Sequence, residues 1–400
     1  MSDPEQHNFW PSQPVGRDAS STQAKIISPV DRSKIQQTPI TVPEFLEFQP
    51  LTLPENLDEL FTFLASHYVG DAAGTSRFAY SRDFLTWWIG SQSSNLAIAL
   101  RAKSDYENIK TGDICGFISG LPMDYQYKEI KTVSQSVDFL CVHQTLRSMN
   151  LAPLLIQEIT RRSYKNNVQT AIFTAAFTAK QKNPAIPPVL TSTYFHRLLN
   201  PVKLMQCNFC QKPYNMDLKK FEFVYRLPAI KQTLRKMSQK DISDCYKIYT
   251  NYQDKYVIKQ LFSKKLFEKI FKSKDNVVQS FVYDVKGQVA AFISYYIVDS
   301  QMLSPEVNKM HKFIRNGYIL QYGISDEVEN NIDLSSLVLC LMHEMYKAKI
   351  DVCTCLDICK NMEFIAKLRF DPGDGKLCYH AFNMDWGKEL QKHELGVVLV

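Results

Sequence analysis

The stretch Asp138–Tyr164 constrains the fold more than any other part of the chain. It opens with the unbroken apolar run Phe139–Val142, which is typical of a strand buried on both faces. A short polar loop follows, and Pro153 then fits the first turn of a helix, where a missing N–H costs nothing. Apolar residues recur at helical spacing from Leu151 to Ile159. The stretch therefore predicts a buried strand, a loop and an amphipathic helix, which together form a unit of an α/β fold.

The loop and the start of the helix form a candidate anion site. The N–H groups in the first turn of a helix are unpaired, so they point outwards and attract negative charge. The loop Arg147–Ala152 resembles the loop that holds the pyrophosphate of coenzyme A in acetyltransferases of the GNAT type, with Asn150 where glycine is usual. Asparagine is the next best residue for an unusual backbone angle. A buried strand and a core helix in any α/β protein would show the same pattern, so this stretch leaves both interpretations open.

Length and charge exclude several classes of protein. A chain of 400 residues suggests two domains or one large one, and 45% hydrophobic residues can build a sizeable core. The 47 basic residues barely outnumber the 41 acidic ones, which argues against a general nucleic-acid binder. No apolar run reaches the ~18 residues of a transmembrane helix, and the N-terminus lacks the basic and apolar segments of a secretory signal. We therefore expect neither nucleic acid as a partner nor stable membrane insertion.

The cysteines indicate a reducing compartment. Many of the ten lie inside apolar segments, where reduced cysteine acts as a small hydrophobic residue. Cys207 and Cys210 form the only CxxC pair, and Cys353, Cys355 and Cys359 have no histidine at ligand spacing. A four-ligand zinc site would need a second pair. We therefore expect no metal and a cytosolic protein.

The chain divides into an arm and two halves. Residues 1–55 contain eight of the 18 prolines and little periodicity, which predicts an extended arm. Residues 56–205 and 206–400 each show helices, a hairpin, a buried strand, a further helix and a last strand. Besides the helix after the central loop, the predicted helices are 57–68, 81–89, 240–253, 264–271, 335–349 and 361–368. The predicted strands are 96–101, 113–121 (ended by Pro122), 133–142, 170–175, 277–285, 288–298, 317–324, 352–356 and 377–382, the last preceded by a turn at 372–375. No repeat is visible at the residue level, so duplication is inferred from element order.

The chain ends in the apolar run Leu395–Val400, which is unusual because chain ends normally carry polar residues. Such a run is either buried, together with the α-carboxylate of Val400, or it is an edge strand with that carboxylate at the surface. Composition alone favours the edge strand.

Several motifs together are more specific than any one of them. The chain resembles the eukaryotic N-myristoyltransferases at segments that run in order from residue 9 to residue 400, so the resemblance covers essentially the whole catalytic core. These segments are Phe9–Val15, Tyr68-Val69, Arg77–Ser81, Gly116–Ser119, Phe139–His143 with Leu146–Ser148 and Ala152-Pro153, Glu158–Arg162, Tyr194–Arg197 with Asn200-Pro201, Gly373–Gly375, and Gly396–Val400.

The resemblance implies a fold class and an activity. The expected fold is α/β, of the α+β type, with two GNAT-like acyltransferase halves related by a pseudo-twofold, forming one continuous saddle-shaped sheet with helices around it. The expected reaction transfers myristate from myristoyl-CoA to the N-terminal glycine amine of a protein, without a metal. Residues 1–55 would be an arm packing on the cofactor, 56–205 the half that binds myristoyl-CoA, and 206–400 the half that binds peptide and carries the catalytic C-terminus.

The resemblance also implies site residues, carried over position by position. The expected cofactor contacts are Asn8, Phe9, Trp10, Phe139, Leu140, Cys141, Val142, Arg147, Ser148, Asn150, Leu151, Ala152, Pro153 and Thr174. The expected peptide contacts are Tyr68, Asp71, Phe78, Tyr80, Thr174, Tyr194, His196, Ser294, Tyr322, Asp357, Gly373 and Asp374. The oxyanion hole would use the backbone N–H groups of Phe139 and Leu140, and the general base would be the terminal carboxylate of Val400.

A terminal base makes physical sense. Thioester aminolysis needs a neutral amine, but an α-amino group with a pKa of about 8 is mostly protonated at cytosolic pH. A carboxylate with an ordinary pKa is a weak base, and burial would raise its pKa towards the useful range. The apolar tail would supply that burial, so the resemblance reverses the preference for a surface carboxylate at Val400.

Four departures from the family pattern have chemical consequences. Only Asp71 remains of the family's acidic loop, so the preference for a basic residue in the substrate should be weaker. Met149-Asn150 replaces a basic pair near the coenzyme A phosphates. Asp138 replaces an asparagine before the oxyanion strand, and Ala176 replaces a glycine.

Two other interpretations stay open. One is a GNAT-type N-acetyltransferase that uses acetyl-CoA, and the other is an inactive module that binds acyl-CoA or peptide. The expected partners are N-terminal glycine peptides and nascent proteins, with possible transient ribosome association, and the protein is expected to be a monomer.

Overall fold

The computed structural model describes residues 9–16, 23–68, 70, 74–177, 186–327, 332–387 and 389–400. The predicted contacts Asn8 and Asp71 lie outside these residues. Within them, no helix combines the length and the hydropathy needed to cross a membrane.

The first half of the chain contains eight strands and four helices among the described residues. In chain order they are β1 (Lys25–Ile26), β2 (Leu46–Pro50), α1 (Leu57–His67), β3 (Ser76–Ala79), α2 (Arg82–Trp88), β4 (Leu96–Ala102), β5 (Ile114–Tyr127), β6 (Ile130–Val142), α3 (Leu151–Lys165), β7 (Thr170–Phe177), β8 (Leu190–Leu198) and α4 (Pro201–Gln206).

The second half continues with nine strands and six helices in its described part. They are α5 (Leu218–Val224), β9 (Arg235–Lys236), α6 (Ile242–Gln253), β10 (Ile258–Leu261), α7 (Lys264–Phe271), β11 (Val278–Val285), β12 (Gln288–Met302), α8 (Pro305–Met310), β13 (Phe313–Ile324), α9 (Leu334–Lys347), β14 (Val352–Leu356), α10 (Met362–Ile365), β15 (Asp371–Phe382), β16 (Met384–Asp385) and β17 (Leu395–Gly396).

The two halves have the same order of elements. The series β2-α1-β3-α2-β4-β5-β6-α3-β7-β8 corresponds to β9-α6-β10-α7-β11-β12-β13-α9-β14-β15. Fifteen strands form one sheet whose main path runs β17-β10-β5-β6-β7-β15-β8-β14-β13-β12-β11-β9, while β2 joins through β4, and β3 pairs with β12. Each half contains one parallel crossover, β6-α3-β7 in the first and β13-α9-β14 in the second. The expectation of two related halves in one continuous sheet is confirmed.

The halves exchange strands at two places. The last strand of each half pairs with the other half, β8 with β14 and β15 with β7, and these two strands also pair with each other. The short strand before the second helix of each half is exchanged as well, because β3 pairs with β12 and β10 pairs with β5. Neither half therefore completes its sheet alone.

Helix starts follow from their capping residues. The Ser81 hydroxyl accepts a hydrogen bond from the backbone N–H of Phe84 at 3.1 Å, which fixes the start of α2. Ser263 caps α7 in the same way through Leu266 at 3.2 Å. The apolar residues of α7 recur at helical spacing and are all buried, so α7 has the predicted bounds.

The predicted helix 361–368 is wrong in its length, because only Met362–Ile365 forms a helical turn. The chain turns back at Arg369, whose φ of +59° is left-handed. This lets the N–H of Phe370 return to the carbonyl of Ile365 at 3.0 Å, which satisfies a carbonyl at the helix end.

The prediction that Pro122 ends a strand is also wrong. β5 continues to Tyr127 and pairs with β6 along its length. The carbonyl of Pro122 accepts a hydrogen bond from Nε2 of Gln92 at 3.0 Å, so it does not point towards β6. Because the nitrogen and the carbonyl of one strand residue point to the same side, the Pro122 nitrogen also faces away from β6. On that side β4 pairs with β5 only as far as Gly120, and β10 pairs with β5 only from Asp124 onwards. Pro122 therefore faces the gap between β4 and β10, where its missing N–H breaks no ladder bond.

Several shorter features differ from the predictions. β2 and β10 are unpredicted, because two short strands without clear alternation give no periodic signal. β8, which begins at Leu190, is likewise unpredicted. The turn expected at residues 372–375 lies within β15, where the register with β8 shifts between Pro372 and Lys376.

The C-terminal segment is an edge strand that is also buried. β17 pairs in parallel with Ile258 and Lys259 at one end of the sheet. Leu395 and Val397 are fully buried, and the half-buried Val400 packs on the main core. The edge-strand interpretation is therefore right about the pairing, but the side chains of this segment are covered.

Candidate functional site

A β-bulge interrupts β6 at the residues predicted to form the oxyanion hole. Asp138 pairs with Ser119 and Cys141 with Phe117, so two residues of β6, Phe139 and Leu140, face a single residue of β5. Phe139 has a φ of +56°, which is rare for a bulky side chain, and its ring is buried. A bulge disrupts the ladder and redirects the backbone groups of the extra residue. The backbone here is thus shaped differently from that of a regular strand.

β6 and β7 separate beside this bulge. Their parallel pairing ends at Val137 and Phe173. The next residue of β7, Thr174, therefore lies beyond the paired region, on the strand that faces the bulge. Backbone groups at such a parting are available to a ligand that enters between the strands.

The loop after β6 has the geometry expected of an anion site. Residues 144–149 form a 3₁₀ helix, and Asn150 adopts the left-handed conformation with a φ of +53°, as expected where glycine is usual. Asn150 makes no side-chain cap to α3, so it leaves the first N–H groups of α3 uncapped. Arg147 donates from Nη2 to the carbonyl of His67 at 2.7 Å, which ties the loop to the end of α1.

The other predicted cofactor residues surround this loop and the bulge. Ser148 is exposed, Ala152 and Pro153 in the first turn of α3 are half-buried, and Leu151 is buried in the second core under β4 and β5. Cys141 is buried, which raises the pKa of its thiol to about 12, whereas Leu140 and Val142 are half-buried. The rings of His67 and His143 lie 4.0 Å apart beside the loop, and burial lowers the pKa of His67 to about 4. Burial lowers the pKa of His143 as well, so this histidine pair is neutral at physiological pH.

The arm crosses the sheet next to the same region. The ring of Phe9 contacts that of Trp10 edge-on at 4.9 Å, and Trp10 stacks on Phe173 at 6.0 Å. The carbonyl of Pro14 accepts a hydrogen bond from the N–H of Asn383 at 2.8 Å, which fixes the arm on the sheet. Because Phe173 precedes Thr174, the arm lies beside the parting of β6 and β7.

Aromatic side chains from α1 and β3 pack on the bulge. The ring centroid of Phe139 lies 5.8 Å from that of Tyr68 and 5.0 Å from that of Tyr80. Burial raises the pKa of both tyrosines, so their hydroxyls stay neutral. Phe78 lies 6.1 Å from Tyr80 and is largely exposed, so this group extends from the core to the surface.

A second group of predicted peptide contacts lies where β8 meets β15. Tyr194 and His196 stack at 6.3 Å, and His196 shares a 2.9 Å hydrogen bond between its Nδ1 and Oγ1 of Thr354. A Cβ at Gly373 would stand 2.5 Å from Nε2 of His196, so only glycine fits there. Burial lowers the pKa of His196 to about 4, although Asp371 and the exposed Asp374 oppose this shift. His196 is therefore a neutral hydrogen-bonding group.

The remaining predicted contacts are engaged within the protein. Ser294 is fully buried and donates to the carbonyl of Gln321 at 3.0 Å. The Tyr322 hydroxyl donates to Oδ1 of Asn361 at 2.8 Å. Asp357 accepts from Lys392 at 2.6 Å and from the N–H of Thr193 at 2.9 Å. All three residues belong to the second half, Ser294 on β12, Tyr322 on β13 and Asp357 just after β14.

The C-terminal segment reaches the same strands through specific hydrogen bonds. The buried Tyr379 on β15 pairs with Thr174 on β7, and its hydroxyl donates to the carbonyl of Val397 at 3.2 Å. The N–H of Val398 donates to Oε1 of Gln260 at 3.3 Å. The last residues of the chain are thus linked, through one strand pair, to Thr174 at the parting of β6 and β7.

A chain of three buried glutamines behind this tail was not predicted from the sequence. Oε1 of Gln260 also accepts from Nε2 of Gln321, and Oε1 of Gln321 accepts from Nε2 of Gln253, both at 3.4 Å. All three side chains are almost fully buried. The sequence contains a signal for one of them, because Gln321 is a lone polar residue in an apolar segment, and buried polar groups need partners.

The described part of the chain offers no metal centre. It contains no group of three His, Cys, Asp or Glu side chains that could hold a metal ion. All ten cysteines are free, and nine of them are buried.

Comparisons with known proteins agree with this geometry. Residues 25–183 match the family model described as myristoyl-CoA:protein N-myristoyltransferase, N-terminal domain, and residues 206–398 match the model of the C-terminal domain. A glycylpeptide N-tetradecanoyltransferase of Drosophila melanogaster is 33% identical over 98% of this chain and 80% of that protein. Glycylpeptide N-tetradecanoyltransferase 1 of Arabidopsis thaliana is 30% identical over 100% of this chain and 91% of that protein.

A solved structure resembles the whole chain. The crystal structure of Saccharomyces cerevisiae N-myristoyltransferase with bound myristoyl-CoA superposes with a TM-score of 0.88, covers 100% of both chains and is 27% identical in sequence. A second structure of that enzyme with bound myristoyl-CoA gives a TM-score of 0.87 and covers 100% of this chain and 95% of that chain.

Proposed function

Because the chain belongs to the N-myristoyltransferase family, we propose that it transfers the myristoyl group of myristoyl-CoA to the N-terminal glycine amine of peptides and proteins. The observation that carries the proposal is the left-handed bulge at Phe139, beside the parting of β6 and β7. A regular strand would direct its N–H groups along the ladder, whereas this bulge turns the backbone where a thioester carbonyl would need donors.

The cofactor occupies the first half in this proposal. The pyrophosphate would lie at the start of α3, where Asn150 leaves the first N–H groups uncapped, and the arm residues Phe9 and Trp10 would cover the pantetheine side. The acyl chain would enter an apolar tunnel, in which each buried CH₂ contributes about 0.8 kcal/mol, so chain length would be selected by the tunnel's end. Residues 1–55 and 56–205 would thus bind myristoyl-CoA.

The reaction then needs donors and a base. The N–H groups of Phe139 and Leu140 would stabilise the oxyanion of the tetrahedral intermediate, and one such donor is typically worth about 100- to 1,000-fold in rate. The carboxylate of Val400 would accept a proton from the glycine ammonium and make the amine nucleophilic. The hydrogen bonds of Tyr379 and Gln260 to the tail support this assignment, since they hold the chain end in one place.

The peptide would be bound by residues 206–400 together with the aromatic side chains around the bulge and the side chains of β8. Tyr68, Phe78 and Tyr80 would form one wall, and Tyr194, His196, Gly373 and Asp374 the other. Because burial keeps His196 neutral, it would donate or accept a hydrogen bond without attracting charge. The substrates would be nascent proteins in the reducing cytosol, which ten unpaired cysteines support. The enzyme would act as a monomer, with at most transient ribosome contact.

The test is thiol release from acyl-CoA in the presence of an octapeptide that begins with glycine and carries serine at position five. Myristoyl-CoA is compared with acetyl-CoA, and the peptide with a copy that begins with alanine. We expect release only with myristoyl-CoA and the glycine peptide. Release with acetyl-CoA instead would identify an N-acetyltransferase, and binding of myristoyl-CoA without release would identify an inactive binding module.

A further inference from the structure

Asp138 lies immediately before the bulge, and its carboxyl group has few partners. Oδ2 accepts a hydrogen bond from Nε1 of Trp88 at 2.9 Å. The backbone carbonyl of Asp138 accepts one from the Ser119 hydroxyl at 3.2 Å, which holds the residue at the point where the ladder breaks. No basic side chain in the described part of the chain forms an ion pair with it.

The surroundings disfavour a negative charge on this carboxyl. The titratable groups that interact with it are the hydroxyls of Tyr68 after α1, Tyr125 on β5 and Tyr296 on β12. All three hydroxyls are neutral, because burial raises their pKa. An ionised carboxylate would therefore be charged, poorly hydrated and without a counter-ion, which is costly inside a protein.

An acceptor without a donor lies in the same place. Asp138 and Asn95 line one cavity of about 10 Å³, roughly the room that a single water needs. Asn95 donates from Nδ2 to the carbonyl of Ile89 and to the hydroxyl of Ser91. Its Oδ1 is buried and accepts no hydrogen bond from any described residue. A protonated carboxyl can supply the missing hydrogen, directly or through one water, whereas a carboxylate can only accept.

We propose that Asp138 is a positioning residue that works as the neutral acid, donating towards Asn95 and thereby fixing the backbone turn that presents the N–H groups of Phe139 and Leu140. Loss of this proton removes the donor. It also places a negative charge beside the site where the oxyanion would develop, and both changes slow acyl transfer. This inference rests on the proposed oxyanion hole at Phe139 and Leu140.

Asp138 changes its protonation state within the physiological pH range. Burial raises the pKa of Asp138 from its ordinary value of 3.8 to about 7, although the hydrogen bond from Trp88 opposes this rise. The folded protein therefore retains a proton that the unfolded chain releases above pH 4. Stability from this group is complete below its unfolded pKa and is lost as the pH rises through 7.

The first test compares the pH dependence of single-turnover acyl transfer in the wild type and in Asp138→Asn. The glycine amine titrates identically in both, so the ratio of their rates isolates Asp138. We expect equal rates at pH 6 and a variant about tenfold faster at pH 8, as a group with a pKa near 7 predicts. Trp88→Phe removes the bond that favours ionisation, so it should move the loss of rate to higher pH. Identical pH profiles in all three proteins would overturn the proposal.

A second variant separates positioning from charge. Asp138→Leu keeps the branching of the side chain at Cγ but cannot donate to Asn95, so it should be slow at every pH, whereas the amide of Asp138→Asn should restore turnover. If Asp138→Leu were as fast as Asp138→Asn, the donor role would be wrong. Asp299→Asn is the control, because burial also raises the pKa of Asp299, but this carboxylate on β12 lies beside Arg315 rather than beside the bulge. Its rate ratio to the wild type should not change with pH.

Thermal unfolding distinguishes failure of this inference from failure of the proposed function. The melting temperature of the wild type should fall relative to Asp138→Asn between pH 5 and pH 8. If this difference were found but no protein transferred myristate to a glycine peptide, the proposed function would be wrong and the neutral state of Asp138 would stand. If transfer occurred but the melting temperatures changed in parallel, the neutral state would be wrong.

Discussion

Gly396 lies where no side chain can fit. A Cβ at this position would stand 2.3 Å from Cδ2 of Tyr256 and 2.8 Å from Oε1 of Gln253. Gln253 is the first of the three buried glutamines whose hydrogen bonds end at the N–H of Val398. The close packing around Gly396 and the hydrogen bonds of the glutamine chain therefore fix the same C-terminal segment, Leu395–Val400.

Replacing Gly396 with alanine should displace the tail. We expect a loss of about 1–3 kcal/mol in the free energy of unfolding, which is typical of overpacking, and a lower kcat because the terminal carboxylate moves with the tail. Urea unfolding and thiol release measure the two effects. Gly90→Ala is the control, since a Cβ there meets only Cγ2 of Thr86 at an ordinary 3.8 Å. Wild-type kcat in a clearly destabilised Gly396→Ala protein would contradict the role of the tail.

The resemblance to a family predicted an oxyanion hole at Phe139 and Leu140, but the β-bulge at these residues was not predictable from the residues themselves. Phe139–Val142 is an apolar run that fits a regular buried strand, and the positive φ of Phe139 arises because β5 offers one residue fewer between two paired positions. That mismatch is a property of two strands, which a local pattern does not contain. Asn150 differs, because its residue type already favours the left-handed conformation that it adopts.

Among the elements, the C-terminal tail shows how pairing and burial combine. β17 is two residues long, yet its neighbours are fixed by the hydroxyl of Tyr379, the amide of Gln260 and the N–H of Cys359, which donates to the carbonyl of Leu395 at 3.2 Å. So short a strand would not be stable alone, because one or two ladder bonds do not offset the entropy of ordering the chain. These contacts hold Leu395, Val397 and Val398, and with them the end of the chain.

Moving the terminal carboxylate should reduce turnover without removing the cofactor site. One alanine added after Val400, or deletion of Val400, displaces the proposed base while leaving the first half unchanged. We expect kcat to fall by about 100- to 10,000-fold, the usual range for a general base, with myristoyl-CoA affinity near that of the wild type. Thiol release and calorimetric titration measure these quantities.

Val400→Ala is the control for the added alanine, because it keeps the carboxylate in register and removes only two methyl groups. It should retain most of the activity. If the lengthened protein turned over at the wild-type rate, the terminal carboxylate would not be the base.

The sequence predicted elements that depend on local signals better than elements that depend on residues far away in the chain. α7 has its predicted bounds because a cap and an apolar stripe are local signals. β5 was predicted too short because Pro122 is tolerated only in the gap that β4 and β10 leave along β5, and β10 lies more than a hundred residues further along the chain. β2 and β10 are defined mainly by their partners, so their own residues say little.

At the scale of the whole molecule, the exchanged strands join the two halves into one structure. β8 belongs to the first half by chain order but pairs with β14 of the second, and β15 pairs with β7 of the first. A separated half would leave β7 or β14 without its outer neighbour and would expose apolar residues such as Ile172 and Val352, which are fully buried. Exposed edges of this kind favour aggregation.

We therefore expect the 400 residues to unfold as one cooperative unit. At about 0.7 kcal/mol per residue, the calorimetric enthalpy near 60 °C should be about 280 kcal/mol, and the van't Hoff enthalpy should equal it. Two halves that unfolded independently would give a van't Hoff enthalpy of about half that value. Fragments 1–205 and 206–400 should each lack cooperative unfolding, while coexpression should restore a single transition. A fragment that folded alone, or two separate transitions in the intact chain, would show that the exchanged strands are not needed to complete each half.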